Sequence, residues 1–404
     1  MDTPFVPIIL GTEIGGYGMA RAFYERYGVT STVYGIFPLI STAHSKFIRV
    51  RIDERLYEPG RLAEVLNAHA AELQGKTGLV IPCGDEYAIA LAQQKDDLDP
   101  AYVALMPDAA VAEGLNDKET FYARCAQLGI PHPATYVIGS PDDKLDLPFG
   151  FPVACKPTDA AMYREHPFEG QKKAFILDTE DELVDVIARV YASGYTAKLI
   201  IQDFIPGDDT NMRVVNGYVR ADGTISLVSV GHPLLEDYSP MAIGNYVAIL
   251  SYFDERIYAD VEHLMAGTGW HGFFNMDLKY DSRDDTFKFF ELNPRAGRSS
   301  FFTTLAGYNM ASFAVDDAID GGKIEPVRAS NEVLWVGVPR SIVRKYVQEG
   351  PEKQRALELM RQGKVGTTLF GAGDNNPKRL WNMARIWVRY LIEFHRHFGH
   401  RDLT

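Results

Sequence analysis

The stretch "FFELNPRAGRSSFF", Phe289–Phe302, sets an acid, an amide and two arginines between two phenylalanine pairs. Side chains alternate along a strand, so Glu291 and Asn293 share one face. Upstream, "NMDLK" puts Asn275, Asp277 and Lys279 on one face in the same way. The runs "GFFNMDLKYD" and "TFKFFELN" read as a hairpin across "SRDD". Pairing them would bring Asp277, Glu291 and Asn293 together. Two carboxylates and an amide oxygen are hard ligands, suited to Mg²⁺ that phosphates also hold. The flanking phenylalanines place these polar groups in a cleft rather than in open water. Arg295 and Arg298 follow at once, and guanidinium forks there could clamp a carboxylate or a developing oxyanion.

Two lysines carry the complementary charge. Lys118 sits in "NDK" at the start of a helical pattern, and Lys156 closes the apolar strand "FPVACKP". A lysine ending a buried strand points its ammonium into a cleft, as a phosphate partner does. Between them and the hairpin, "IIQDFIPGDD" is a strand followed by a turn through Pro206 and Gly207. Its edge offers backbone groups to a purine, with Asp208 or Asp209 in reach of ribose hydroxyls.

The elements that must position these residues follow from hydrophobic period. From Phe5 to about Leu115 short apolar strands alternate with helical stretches, which implies a parallel sheet with crossovers on its faces. The first loop, "GTEIGGYGMAR", is glycine-rich but a poor dinucleotide fingerprint: Gly16-x-Gly18-x-x meets Arg21, and "STVYGIF" ends without an acid. The sequence then divides into a small region over 116–200, a larger one over 201–325 holding the hairpin, and a C-terminal extension over 326–404. Asn116 reads as the start of a helix, and Thr179 three residues before Glu182 as a capping box. The segment "PLLEDYSPMAIGNYVAIL" reads as irregular.

The 404 residues carry a net charge of −13, which excludes a broad nucleic-acid-binding face but not a local anion pocket. Cys83, Cys125 and Cys155 are scattered, without metal-ligand spacing, and fit a reducing cytoplasm better than a disulfide framework. The N-terminal segment lacks a basic n-region, and no window has the apolar length of a membrane span. The expectation is a cytoplasmic protein.

Taken in order, Lys118, Lys156, "QDFIPGDD", Arg213, Asp277 and Glu291-x-Asn293-x-Arg295 resemble the ATP-grasp superfamily, whose members activate a carboxylate as an acyl phosphate and join it to an amine or thiol. Within it the chain is most similar to the bacterial D-aspartate ligases of peptidoglycan crossbridge synthesis. The stretches that carry this are "GMAR", "CGDEY", "FPVACKP", "FEGQKKAFIL", "QDFIPGDDTNMRV", "GHPLLED", "IGNYV" and "NPRAGRSSFF", from the first strand to about residue 340.

The resemblance implies an α/β (α+β) ATP-grasp fold behind an N-terminal Rossmann-like domain over 1–115. It implies ATP phosphates on Lys118 and Lys156, adenine on the backbone of Gln202, Asp203, Phe204 and Ile205, and ribose on Asp209. Asp277, Glu291 and Asn293 would hold Mg²⁺. Arg213 and Arg295 would face the transferring phosphate and the substrate carboxylate, with Arg298 beside them. Two features depart from the superfamily. The loop "YREHPFEGQKK" is not glycine-rich, so Lys172 and Lys173 would supply its phosphate contacts, and Gln202 stands where glutamate is common.

The implied partners are an amino-acid donor, D-aspartate, and a muramyl-peptide acceptor whose lysine ε-amine attacks the acyl phosphate. That amine, with a pKa of roughly 10.4, must first lose a proton. Asp277, Glu291, Asp237 and His232 are all conceivable bases. "YREHPFEGQKK" and "GHPLLEDYSP" are candidate lids. A ligase for another amino acid or acceptor, and a nucleotide-binding regulator without chemistry, are the competing readings. The intact acid, amide and arginine set weighs against the regulator.

The last segment, "PKRLWNMARIWVRYLIEFHRHFGHR", is helical in period, with Lys378, Asn382, Arg385, Arg389 and Arg396 near one face and Trp381, Ala384, Trp387, Val388 and Leu391 on another. Either the aromatic face packs on the body, or 377–404 rests on an anionic membrane surface.

Overall fold

The computed structural model describes residues 3–238, 242, 244–371 and 373–398. Three sheets organise them. The first is all parallel, in the order β3-β2-β1-β4-β5, from β1 (Phe5–Leu10), β2 (Ser31–Gly35), β3 (Ile48–Ile52), β4 (Thr77–Pro82) and β5 (Tyr102–Ala104). Ile8, Ile9 and Leu10 are all buried, as a strand covered on both faces requires. The glycine-rich loop after β1 is a structural turn: a Cβ at Gly16 would lie 2.0 Å from the Gly11 carbonyl oxygen.

The second sheet is antiparallel, β6 (Thr135–Ile138), β9 (Leu199–Asp203), β7 (Val153–Pro157) and β8 (Phe175–Leu177), in the order β6-β9-β7-β8. The helix Glu180–Ala192 covers it through Leu183, Val186, Ile187 and Val190, and the Thr179 hydroxyl accepts the Glu182 N–H at 3.3 Å. The boundary drawn after residue 200 falls inside β9, whose pairing with β6 and β7 ties it to this sheet.

The third sheet runs β14-β13-β10-β11-β12-β16-β17, with a short strand β15 on β11. Its members are β10 (Met212–Val219), β11 (Ile225–Glu236), β12 (Tyr246–Tyr252), β13 (Gly272–Asp281), β14 (Thr286–Asn293), β15 (Val327–Arg328), β16 (Leu334–Val336) and β17 (Val365–Gly366). The segment read as irregular therefore contains the end of β11 and most of β12, up to Leu250; Ser239, Pro240, Met241 and Ile243 lie outside the described residues. The extension from 326 is not a separate tail, because β15, β16 and β17 join this sheet. Asn116 ends one helix, Ala109–Asn116, and Asp117 caps the next, Lys118–Leu128, by accepting the Thr120 N–H at 3.0 Å.

Alternation gives this sheet two different faces. Val215, Met276, Leu278, Phe289 and Leu292 pack under the helices Lys118–Leu128 and Glu255–Met265 through Phe121, Cys125, Ile257 and Val261. Each such fully buried side chain contributes about 2 kcal/mol. The opposite face carries Asn216, Asn275, Asp277, Glu291 and Asn293.

The helix Pro377–His397 closes the fold. A buried Arg379–Asp374 ion pair at 2.7 Å anchors its first turn, and Tyr17 donates its hydroxyl to Asp374 at 3.0 Å. Met383, Tyr390 and Phe394 are the side chains it buries further along.

Candidate active site

The hairpin pairs in the register that alternation implies. Asp277 is opposite Glu291 and Asn275 opposite Asn293, with a bulge between Asp277 and Leu278. The bulge places Leu278 opposite Phe289, so Phe290 is the extra residue. Phenylalanine and leucine thus enter the core while the acid and amide face the cleft. This is how polar residues come to lie between buried aromatics.

Asn275 organises the floor. It donates Nδ2 to the Val215 carbonyl at 2.8 Å, and its Oδ1 accepts from Asn293 Nδ2 at 3.2 Å and Arg295 Nη1 at 3.3 Å. With its amide N–H committed to Asn275, Asn293 turns its carbonyl oxygen away from that contact. Gly297 then passes over Asn216, donating its N–H to Oδ1 at 3.0 Å; a Cβ there would lie 2.8 Å from both Asn216 and Asn275.

The carboxylates are electrostatically strained. Burial and the neighbouring Glu291 push Asp277 up to about 7, although Tyr246 donates its hydroxyl to Asp277 Oδ1 at 3.1 Å. Burial alone would raise Glu291 as well, yet Lys118, Lys156 and Arg295 hold it below its ordinary value. The Lys118 ammonium stands 3.3 Å from Glu291 Oε2. Two opposed carboxylates with an amide oxygen beside them form an oxygen donor set short of positive charge, which fits a divalent cation. Among the described residues no group of three or more His, Cys, Asp or Glu gathers as a metal site.

The lysines converge as well. Burial, helped by the charges of Lys118 and Lys173, lowers Lys156 to about 8, and its Nζ lies 5.9 Å from the Phe290 ring centre. Lys172 and Lys173 are exposed, and Lys173 Nζ lies 3.8 Å from where a Gly244 Cβ would stand. The loop "YREHPFEGQKK" therefore reaches the segment after β11, whereas the other candidate lid, "GHPLLEDYSP", is strand β11 as far as Glu236 and so is fixed in the sheet.

Gln202 is buried and donates Nε2 to the Thr135 hydroxyl at 2.9 Å. Asp203 ends β9 in an ion pair with Arg283 at 2.6 Å. Phe204 follows, its ring 5.2 Å from Lys279 Nζ, and Ile205 is buried. Asp209 is buried too, accepting the Glu236 N–H at 3.1 Å and the Tyr238 hydroxyl at 3.3 Å.

Arg295 joins the hairpin to the first domain. Its Nε stands 2.9 Å from Asp85 Oδ1, at the start of the helix Asp85–Gln94. Glu13, before the helix Ile14–Tyr27, completes an acidic wall: burial, with Glu86 and Asp85 nearby, raises its pKa, and its Oε2 is buried without a hydrogen-bond partner. Arg298 is exposed, beside the Tyr390 hydroxyl of the C-terminal helix.

Arg213 does not join this group. It pairs with Leu278, which puts it on the opposite sheet face from Asp277. There it donates Nη1 to the Thr210 and Met212 carbonyls and stacks 4.4 Å from the Tyr252 ring centre. His232 is beside it; burial and Arg213 push its imidazole down to about 3, and Nε2 lies 2.6 Å from the Thr210 carbonyl oxygen. Neither group reaches the cleft.

The residues that sequence alone does not bring to the site are Asn216, Tyr246, Asp85 and Glu13. Asp85 and Tyr246 lie within "CGDEY" and "IGNYV", whose likeness to known enzymes was the only signal available.

No protein-family model matches the chain. It is 38% identical to the D-aspartate ligase of Enterococcus faecium (strain Aus0004), over 98% of this chain and 97% of that protein. The L-amino acid ligase of Bacillus licheniformis superposes with a TM-score of 0.55 at 16% identity, covering 81% of this chain and 79% of that one. An ADP complex of N5-carboxyaminoimidazole ribonucleotide synthetase superposes at 0.59 with 14% identity, covering 89% and 84%. These two similarities establish the fold.

Proposed function

The chain belongs to the D-aspartate ligase family of ATP-grasp enzymes, which makes it an ATP-dependent carboxylate–amine ligase, and we propose that it joins the β-carboxylate of D-aspartate to the lysine ε-amine of UDP-MurNAc-pentapeptide. The observation that carries this reading is the 38% identity across 98% of the chain.

On this reading the ATP phosphates lie among Lys118, Lys156 and Lys173, with adenine against the backbone from Gln202 to Ile205. Asp277, Glu291 and Asn293 would hold Mg²⁺, which when bound neutralises phosphate charge. The catalytic problem is to bring an anionic carboxylate against an anionic γ-phosphate. Arg295 supplies a preorganised guanidinium fork on the cleft floor, and the lysines spread the remaining charge. Phosphorylation gives an acyl phosphate; amine attack then expels phosphate and forms the isopeptide bond. Glu13 and Asp85 present acid to the donor's ammonium. Exclusion of water, which would hydrolyse the intermediate, falls to the loop bearing Lys173 and the segment around Gly244. Arg213 has no part in this proposal.

The test is phosphate release with D- and L-amino acids in the presence of a lysine-containing muramyl pentapeptide. Turnover with D-aspartate that requires the peptide is the expected result. Turnover with another amino acid in its place would move the assignment to a different ligase of the same mechanism.

A further inference from the structure

The C-terminal helix does not pack as either half of its sequence pattern implies. It buries a third stripe, Met383, Tyr390 and Phe394, packs Trp387 4.5 Å from the Phe370 ring centre, and turns the rest of its apolar face outward. Trp381 is 67% exposed, Val388 54%, Leu391 45%, Ile392 43% and Leu380 42%. At 3.6 residues per turn, these positions and Ala384 fall within an arc of about 120°. Lys378, Arg385, Arg389 and Arg396, all exposed, occupy roughly the next 40°. No ion pair joins any of these four to another described residue, although the chain as a whole carries −13.

Such a face is costly to leave in water, and its composition says what covers it. The apolar side chains run for about 18 Å along a convex ridge, a shape that suits a flat, deformable surface. Tryptophan next to a single-sign basic rim matches the boundary between acyl chains and acidic headgroups. Arg379, at the start of the helix, donates to the Ser41 carbonyl at 2.7 Å, and that loop also exposes Phe37 and Ile40. Among the described residues no helix is long and apolar enough to cross a bilayer, so contact would be at the surface.

We propose that the outer face of Pro377–His397 docks the protein on an anionic lipid bilayer. The inner face of the same helix carries Tyr390 to Arg298, so the docked helix would lie between the bilayer and the segment that follows β14. The proposal stands on the helix alone and is independent of the donor and acceptor.

The test uses the full chain with phosphatidylglycerol-containing vesicles and with pure phosphatidylcholine vesicles. Co-sedimentation with the acidic vesicles is expected, weakened by high salt and on the order of tenfold poorer with the neutral ones. Trp381→Glu/Val388→Glu should abolish it, and Arg385→Gln/Arg389→Gln should weaken it about tenfold. Thermal melting and nucleotide binding should stay unchanged in both variants. Absence of co-sedimentation, or equal binding by both variants and the parent, overturns the proposal. So does a dimer in sedimentation velocity that Trp381→Glu/Val388→Glu dissociates, which would make this face a contact between two copies of the chain.

Discussion

Asp277 on β13 and Glu291 on β14 are direct cross-strand partners, two carboxylates facing one cleft with Lys118 3.3 Å from the second. The pair is stable together only if positive charge is supplied, and the lysines supply part of it. The remainder is what a divalent cation with bound triphosphate would bring.

Removing either acid should therefore remove turnover. Asp277→Asn or Glu291→Gln should lower kcat on the order of 100-fold. Chelation should silence the parent enzyme, and added Mg²⁺ should restore it. Full phosphate release by either variant would refute the metal assignment.

The same pair sets a pH dependence of stability. In the folded, metal-free protein Asp277 is raised to about 7, against roughly 3.9 when unfolded. Its contribution is fully present below the unfolded value and is lost as pH rises through about 7. Asp277→Asn should consequently raise the Tm of metal-free protein at pH above this range, and do so less in acid. Melting curves of parent and variant at both pH values check the sign.

Lys156 titrates in the opposite sense. Burial holds it at about 8, so in mildly alkaline solution the free protein carries it largely neutral. Phosphate oxygens favour the ammonium, so nucleotide binding should take up part of a proton. Calorimetric titration in buffers of different ionisation heat measures this uptake. Lys156→Arg should keep binding and lose the uptake, since guanidinium does not deprotonate.

Arg295 links Asp85 of the first domain to Asn275 of the hairpin. Arg295→Lys keeps the charge but not the fork, and should lower kcat/KM on the order of 100-fold. Asp85→Asn should cost less. A double-mutant cycle on these two positions should show coupling; additive effects would separate the ion pair from catalysis.

Arg213 gives the contrary outcome. It is buried against Tyr252 on the opposite sheet face, so Arg213→Met should alter Tm by a few degrees and leave nucleotide affinity within about twofold. A large loss of affinity with unchanged melting would return it to the cleft.

Much of the site was legible because it rests on short-range rules. Strand alternation and a four-residue turn were enough to set Asp277 against Glu291 and Asn293 beside them. Lys118 and Lys156 were legible from their places at element ends. Arg213 departs from its expected place for a related reason: a motif carries no information on sheet face, which depends on register against β13, where Leu278 is its partner. Asp85, Glu13 and Tyr246 come from loops and strands distant in sequence, and no local pattern brings them to Arg295 or Asp277.

By itself the sequence determined the periodic elements, the hairpin with its two acids and amide, and, through likeness, the ligase family. Period-2 and 3.6-residue patterns are properties of the chain, and they survive without knowledge of neighbours. Only the tertiary structure decided which face each long-range partner took, that β16 and β17 complete the third sheet, and which stripe of the last helix is buried. Those outcomes depend on what packs opposite. The helix Pro377–His397 had two apolar stripes to offer, and the core had room for one.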